Sequence, residues 1–399
     1  NGLGNLGSDQ FIDFATTPVS DMSGNYGSVF TDFDNDGDID LYIAHCRQGV
    51  NDPNDPRRWD RLFVNDGSGN YTDMAATYGV QNHYQTWCVD FGDWDNDGDE
   101  DMVAIDHEHV MQFFQNDGTG HFTDIGDNGL NLSGFFLESH FEDFDNDGFL
   151  DIIVGGSPSV LLKGNGDGTF TNITSTLSPG QSIHSFAIGD LNDDGAMDVW
   201  ASYGTGYTTP NYGSPDVLFL NDGNDNHWLN VKLRGVVSNR DAIGARVTLT
   251  TALGTQIREV RAGESYGLTN TAMCHFGLGT NTTIATLTVH WPSGQVDTYT
   301  DLDADQSLTL IEGTCIAPTV GITSSNGMTL CSGTGNGTTL SSTTTATSYL
   351  WNTGATTSSI AVDTVGVYTL TLNPGDACSA HTSVFITQPA GTPPTITAD

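Results

Sequence analysis

The stretch TDFDNDGDIDLYIA at residues 31–44 decides the fold. Acids stand at alternate positions across a glycine-containing turn, and a short aliphatic and aromatic run follows at once. The pattern returns as GDWDNDGDEDMVAI at 92–105, EDFDNDGFLDIIVG at 142–155 and GDLNDDGAMDVWAS at 189–202. The acidic loops start at Asp32, Asp93, Asp143 and Asp190, a spacing of 61, 50 and 47 residues. Each is followed by a second signal: LFVNDGSGNYTDM at 62–74, FFQNDGTGHFTDI at 113–125, LLKGNGDGTFTNI at 161–173 and LFLNDGNDNHW at 218–228. Runs such as LYIA, IIVG and LFV are strand-sized and bounded by Asn-Asp-Gly turns, and helical periodicity is nowhere sustained. A repeat of this length, built of short strands and glycine-rich turns, predicts the blades of a β-propeller in an all-β chain.

The loop reads D-x-D-x-D-G-x-x-D. Carboxylates at positions 1, 3 and 5 alternate around the turn, glycine at 6 permits the sharp bend, and Asp at 9 closes the cage. Calcium takes six to eight hard oxygens at about 2.4 Å, and this spacing supplies them. The candidate ligands are Asp32, Asp34, Asp36, Asp38 and Asp40; Asp93, Asp95, Asp97, Asp99 and Asp101; Asp143, Asp145, Asp147, Phe149 and Asp151; and Asp190, Asn192, Asp194, Ala196 and Asp198. Position 7 is Asp38, Asp99, Phe149 and Ala196, so its contribution is read as a backbone carbonyl. Position 2 is Phe33, Trp94, Phe144 and Leu191, always apolar, which predicts a loop rim packed on a core. An EF-hand needs Glu at position 12, where Ile43, Ala104, Val154 and Ala201 stand. About four calcium ions are expected, and the fourth loop, with Asn192 in place of an acid, is expected to be the weakest. Packed carboxylates repel strongly without a cation, so calcium is read as structural first.

These blocks resemble the FG-GAP/VCBS repeats of integrin-α-type propellers over roughly residues 24–226. The resemblance implies a calcium-binding propeller, usually of about seven blades, and does not imply an activity. Four blades are legible, and residues 1–19 read as the outer edge of a further one. The chain starts at Asn1 without an initiator Met or signal peptide, which reads as a processed form or a fragment.

Composition narrows the partners. The sequence has 11 Lys and Arg against 50 acids, a formal net charge of −39; 43 of the acids are Asp and 7 are Glu. Asp favours turns and oxygen-ligand loops where Glu favours helices. Such a field repels phosphate, which sets aside nucleic acid and anionic membranes. No apolar run approaches the roughly 18–20 residues of a spanning helix, so no membrane insertion is expected.

The repeats stop near His227. Six of the 11 basic residues fall at 230–261: Lys232, Arg234, Arg240, Arg246, Arg258 and Arg261. This cluster reads either as a site for an acidic glycan or carboxylate, or as pairing with the chain's own acids. The elements SNRDAIGARV, CHFGLG and WPSGQ resemble the ASPIC/UnbV domain over about 229–313, and cartilage acidic proteins carry the same pairing of domains. Beyond Cys315 there is no Lys or Arg. There TSYLWNTGATTSSIAVDTVGVYTLTLN (347–373) alternates apolar and polar residues, with Trp351 placed as a core aromatic, and resembles Ig-like or PKD-like modules of secreted Bacteroidota proteins. The expected domains are therefore 1–228, 229–313 and 314–399. That resemblance implies secretion by a bacterium through the type IX route, and a Cys331–Cys378 disulfide with Cys315–Cys378 as its rival. A Cys46–Cys88 bridge between blades is a separate expectation.

No catalytic constellation stands out. Asp106-His107-Glu108-His109 could place His107 and His109 on one strand face, but a third ligand is missing and a polar loop reads better. The expectation is therefore no enzyme: a secreted or cell-surface calcium-binding adhesion protein that binds a surface glycan or protein through propeller loops. The alternatives are a section of a longer filament or larger surface assembly, and a carbohydrate-active enzyme using Glu108, Glu138 or Glu142.

Overall fold

The computed structural model describes residues 24–47, 49–106, 111–174, 182–204, 213–313, 315–330, 337–376 and 378–388. The protein is nearly all β, in antiparallel sheets. Residues 1–19, the His107-Glu108-His109 motif and Cys331 lie outside the described residues.

Each acidic repeat, with its Asn-Asp-Gly partner, folds into one meander. The first blade is β1 (Asn25–Thr31), β2 (Asp40–His45), β3 (Arg61–Asn65) and β4 (Tyr71–Asp73). The second is β5 (Thr86–Gly92), β6 (Asp101–Asp106), β7 (Gln112–Asn116) and β8 (Phe122–Gly126); the third is β9 (Phe135–Glu142), β10 (Asp151–Ser157), β11 (Val160–Gly164) and β12 (Phe170–Asn172). The fourth has three described strands, β13 (Ile183–Gly189), β14 (Asp198–Tyr203) and β15 (Val217–Phe219). In every blade the acidic loop is the first hairpin connection, and its position 9 is the first residue of the second strand.

First strands lie side by side, β1 against β5, β5 against β9 and β9 against β13, as in successive propeller blades. The cores form between blades. Phe33, Tyr42, Leu62, Phe91, Met102 and Phe122 fill the first gap, and Trp94, Phe113, Phe141, Leu150, Ile152 and Phe170 the second. Burying each such side chain contributes about 1.5–3 kcal/mol, so neighbouring blades stabilise one another. Position 2 of the loop enters these cores as expected at Phe33 and Trp94, both fully buried. Leu191 departs from this, 58% exposed, because no described blade follows the fourth; Trp200, Leu218 and Leu220 are exposed on the same blade.

The chain divides into two compact units, 1–307 and 308–399. After its blades the first unit holds β16 (His227–Arg234), β17 (Arg246–Thr251), β18 (Gly254–Glu259), β19 (Cys274–Gly279), β20 (Thr283–His290) and β21 (Val296–Asp303). β16 pairs with β19, and the other four form a sheet of order β18-β17-β20-β21. In the second unit, Thr309–Ile311 of β22 (Gln306–Ile311) pairs with β23 (Cys315–Ala317). Its two three-stranded sheets are β24 (Ile322–Ser324), β25 (Thr338–Ser342) and β27 (Ser359–Val362), and β26 (Tyr349–Trp351), β28 (Gly366–Leu372) and β29 (Ala380–Ile386). They enclose Trp351, Leu340, Leu370 and Ile386.

The Cys46–Cys88 bridge does not form: Cys46, Cys88 and Cys274 are buried thiols. Cys88 Sγ instead sits 3.6 Å from Ser139 Oγ in the next blade. Cys378 is disulfide-bonded.

Candidate metal centres

All four loops share one backbone path. Position 4 is left-handed at Asn35, Asn96, Asn146 and Asp193, with φ of 61°, 59°, 57° and 58°, and position 6 is a glycine at positive φ in every copy. Asn, Asp and Gly tolerate that region best, which is why the turn is Asn-Asp-Gly or Asp-Asp-Gly. The position 6 amide donates to the position 1 carboxylate: Gly37 to Asp32, Gly98 to Asp93, Gly148 to Asp143 and Gly195 to Asp190, at 2.8–3.3 Å. The position 7 amide donates to the position 5 carboxylate in all four. The position 9 carboxylate ties the loop to the second signal: Asp40, Asp101, Asp151 and Asp198 accept from the amides of Asn65, Asn116, Gly164 and Asn221 at 2.7–2.8 Å. The two sequence signals of a blade are thus halves of one device.

Position 4 does something that reading each loop alone does not show. Asn35 Nδ2 donates to Gly98 O, Asn96 Nδ2 to Gly148 O and Asn146 Nδ2 to Gly195 O, at 3.3, 2.8 and 3.0 Å. Each loop is hydrogen-bonded to the next blade's loop. Asn at position 4 of the first three copies and Asp193 in the fourth was the available clue, because a carboxylate cannot donate.

Carboxylate oxygens converge within 4.8 Å in three sets: Asp32, Asp34 and Asp36; Asp93, Asp95 and Asp97; and Asp143, Asp145 and Asp151. Whether a divalent cation fits depends on what those oxygens already touch. In the first loop Asp32 Oδ1, Asp34 Oδ1 and Asp40 Oδ2 are buried with no hydrogen-bond donor, and in the second Asp95 Oδ1, Asp99 Oδ1 and Asp101 Oδ2. Buried carboxylate oxygens without donors cost several kcal/mol each unless a cation meets them, so these two loops fit a hard oxygen-seeking ion. Burial, with the neighbouring acids, pushes Asp32 up to about 7, Asp93 to about 8 and Asp101 to about 10. In the third loop all eight carboxylate oxygens of Asp143, Asp145, Asp147 and Asp151 have a protein donor, two of them from Lys163 Nζ. The fourth loop is likewise satisfied, with Asn192 Nδ2 on Asp194 and Asn230 Nδ2 on Asp190. Phe149 and Ala196 occupy position 7 there and contribute no side-chain oxygen.

Family comparison matches FG-GAP-like repeats at 32–104, 93–154 and 143–201, each span running from one acidic loop into the next blade, and an ASPIC and UnbV domain at 235–317. The chain carries FG-GAP-like repeats followed by an ASPIC and UnbV domain. It is also weakly similar to cartilage acidic protein 1. Identity is 28% over 255 residues with the protein of Xenopus tropicalis and 28% over 257 with that of Homo sapiens, 59% of this chain in both. The matches cover 38% and 37% of those proteins.

The ASPIC and UnbV domain grips the repeats at the loops. Glu259, at the end of β18, accepts from Thr31 Oγ1 at 2.8 Å and from the Asp32 amide at 3.1 Å. Arg246 donates to Asp32 O at 3.0 Å. Arg261 reaches the second blade, donating to Phe91 O at 2.9 Å and pairing with Glu100 at 3.0 Å and Glu259 at 2.9 Å. At the third blade a ring nitrogen of His275 lies 2.7 Å from Asn146 Oδ1; its other ring nitrogen lies 2.7 Å from Asn230 Oδ1 on β16, whose Nδ2 donates to Asp190 of the fourth loop. Arg246 and Arg261 from the basic cluster are therefore spent inside the molecule. Glu138 and Glu142 are buried on β9, and burial pushes Glu138 up to about 7. A cleft of about 700 Å³ opens between the first blade and the domain, with Phe30, Asp38, Asn65, Tyr71 and Ile243 among its walls.

Proposed function

We propose that this chain is an extracellular interaction protein whose propeller blades are stabilised by calcium and whose exposed loops and clefts bind a glycan or a protein. The observation that carries the calcium part is the set of six buried carboxylate oxygens without donors in the first two loops. Calcium is the cation whose ligand preference and flexible geometry suit them, and millimolar calcium outside cells suits such open loops. FG-GAP-like repeats, the ASPIC and UnbV domain and the similarity to cartilage acidic protein 1 support an extracellular setting. Among the described residues no helix is long and apolar enough to cross a membrane. The net charge of −39 argues against nucleic acid as the partner.

The cleft beside the first blade is the favoured binding place. Phe30 offers an exposed ring face for a sugar, Tyr71 lines the same cleft, and Asp38, a residue of the first acidic loop, offers a polar partner. The reading is of a binding protein; of the glutamates an enzyme would use, Glu138 and Glu142 are buried on β9 and Glu108 lies outside the described residues. The test is a glycan array and a pull-down from surface extracts, each with calcium and with EDTA, alongside bound metal by mass spectrometry. Calcium on the chain and binding lost in EDTA are expected. A metal-free chain, or binding indifferent to EDTA, would count against the reading.

A further inference from the structure

Lys163 is one of only two lysines in a chain of net charge −39, and it stands on β11 just before the Gly-Asn-Gly turn. The equivalent residues of the other blades are Val64, Gln115 and Leu220. Gln115 Nε2 donates to Asp95 at 3.2 Å, so this position faces the acidic loop of its own blade. In the third blade it carries a full positive charge. Lys163 Nζ binds Asp145 Oδ2 and lies 2.5 Å from Asp147 Oδ2. Those are loop positions 3 and 5, two of the oxygens a divalent ion would use.

Two further observations separate this loop from the first two. Every carboxylate oxygen in it has a donor, whereas the first and second loops each leave three buried oxygens without one. The converging set also differs. Positions 1, 3 and 5 meet in the first two loops, but positions 1, 3 and 9 meet in the third, with Asp147 turned to the ammonium.

We propose that Lys163 is a tethered counter-ion, holding the third loop closed with an ammonium where the first two loops need a divalent cation. Compared with the first two loops, the third then depends less on calcium for its shape, and its calcium affinity is suppressed. An ion entering it must displace the ammonium from Asp145 and Asp147 before it can gather its oxygens. This inference rests on the calcium reading above and refines it by assigning the loops different dependence on the ion.

The experiment is a calcium titration by calorimetry and chelator competition on the full chain, wild type against Lys163→Gln, the residue the second blade uses, and Lys163→Met. Both substitutions should tighten one site by about tenfold or more, the scale expected from removing a charge in contact with the ligands. Adding Asp145→Asn should abolish that gain. In EDTA both single variants should melt earlier than wild type and recover in calcium. Unfolding of a variant in EDTA with rescue by calcium supports the proposal, since it shows the ion replacing the lysine. Calcium bound at the first two loops with no change of affinity or melting in either variant overturns this inference alone. No calcium on either protein overturns it together with the calcium reading.

Discussion

At the scale of single residues, carboxylates of the first two loops make the molecule sensitive to pH. Burial raises Asp32, Asp93 and Asp101 from the usual 3.8 to about 7, about 8 and about 10. The folded chain without a cation therefore holds protons that the unfolded chain releases. Stability from groups raised in this way is complete below about pH 4 and is lost as pH climbs through the folded values. In EDTA the melting temperature should fall between about pH 5 and pH 8. In saturating calcium that fall should disappear, because the ion-bound carboxylates are ionised, as they are in the unfolded chain above about pH 5. Melting curves at both pH values, with and without calcium, check this; a melt in EDTA that rises with pH would refute it.

At the scale of elements, what joins one blade to the next is a core and a hydrogen bond. The core is set by position 2 of the loop, Phe33 or Trp94, and the bond by position 4. Asn96 is the central link, donating to Gly148 O from a nearly buried side chain. Replacing it by Asp keeps the size and the tolerance for positive φ but removes the donor and faces a carbonyl with a carboxylate. Asn96→Asp should cost about 1–3 kcal/mol in denaturant unfolding. Asn96→Gly keeps the backbone freedom and should cost less than Asn96→Asp. No loss in either variant would mean the inter-blade bond contributes nothing.

For the first unit as a whole, the decisive contacts join residues far apart in sequence. Glu259 and Arg261 meet Thr31, Asp32, Phe91 and Glu100, so the ASPIC and UnbV domain closes over the hairpins that carry the first two acidic loops. Arg261 is buried between two carboxylates, and cutting it back removes the ion pair of the buried Glu100, while Glu259 keeps Arg246 and Thr31. Arg261→Met should destabilise the first unit by about 3–5 kcal/mol. Replacing Glu100 by Gln in the same chain should recover part of that loss. Chemical denaturation followed by tryptophan fluorescence measures both, and additive losses would show that the pair does not couple.

The repeat was legible because its information is local. Nine residues carry the turn, the αL positions and the carboxylates, and four copies expose which positions are free to vary. That is enough for the all-β class, the blade units and the acidic loops. Trp351 was legible for the same reason, from alternation along a strand. Only the tertiary structure decided what those loops touch. That Lys163 fills the third loop depends on β11 lying against its own hairpin. That Asn96 bonds the next loop depends on the distance between blades. That Arg246 and Arg261 face inward depends on where a domain more than two hundred residues later comes to rest. The same holds for Cys46 and Cys88, which sit in neighbouring blades as expected and remain thiols, Cys88 lying against Ser139. A motif's chemistry follows from the spacing of its atoms along the chain, whereas the satisfaction of its charges follows from which distant donors packing brings within reach.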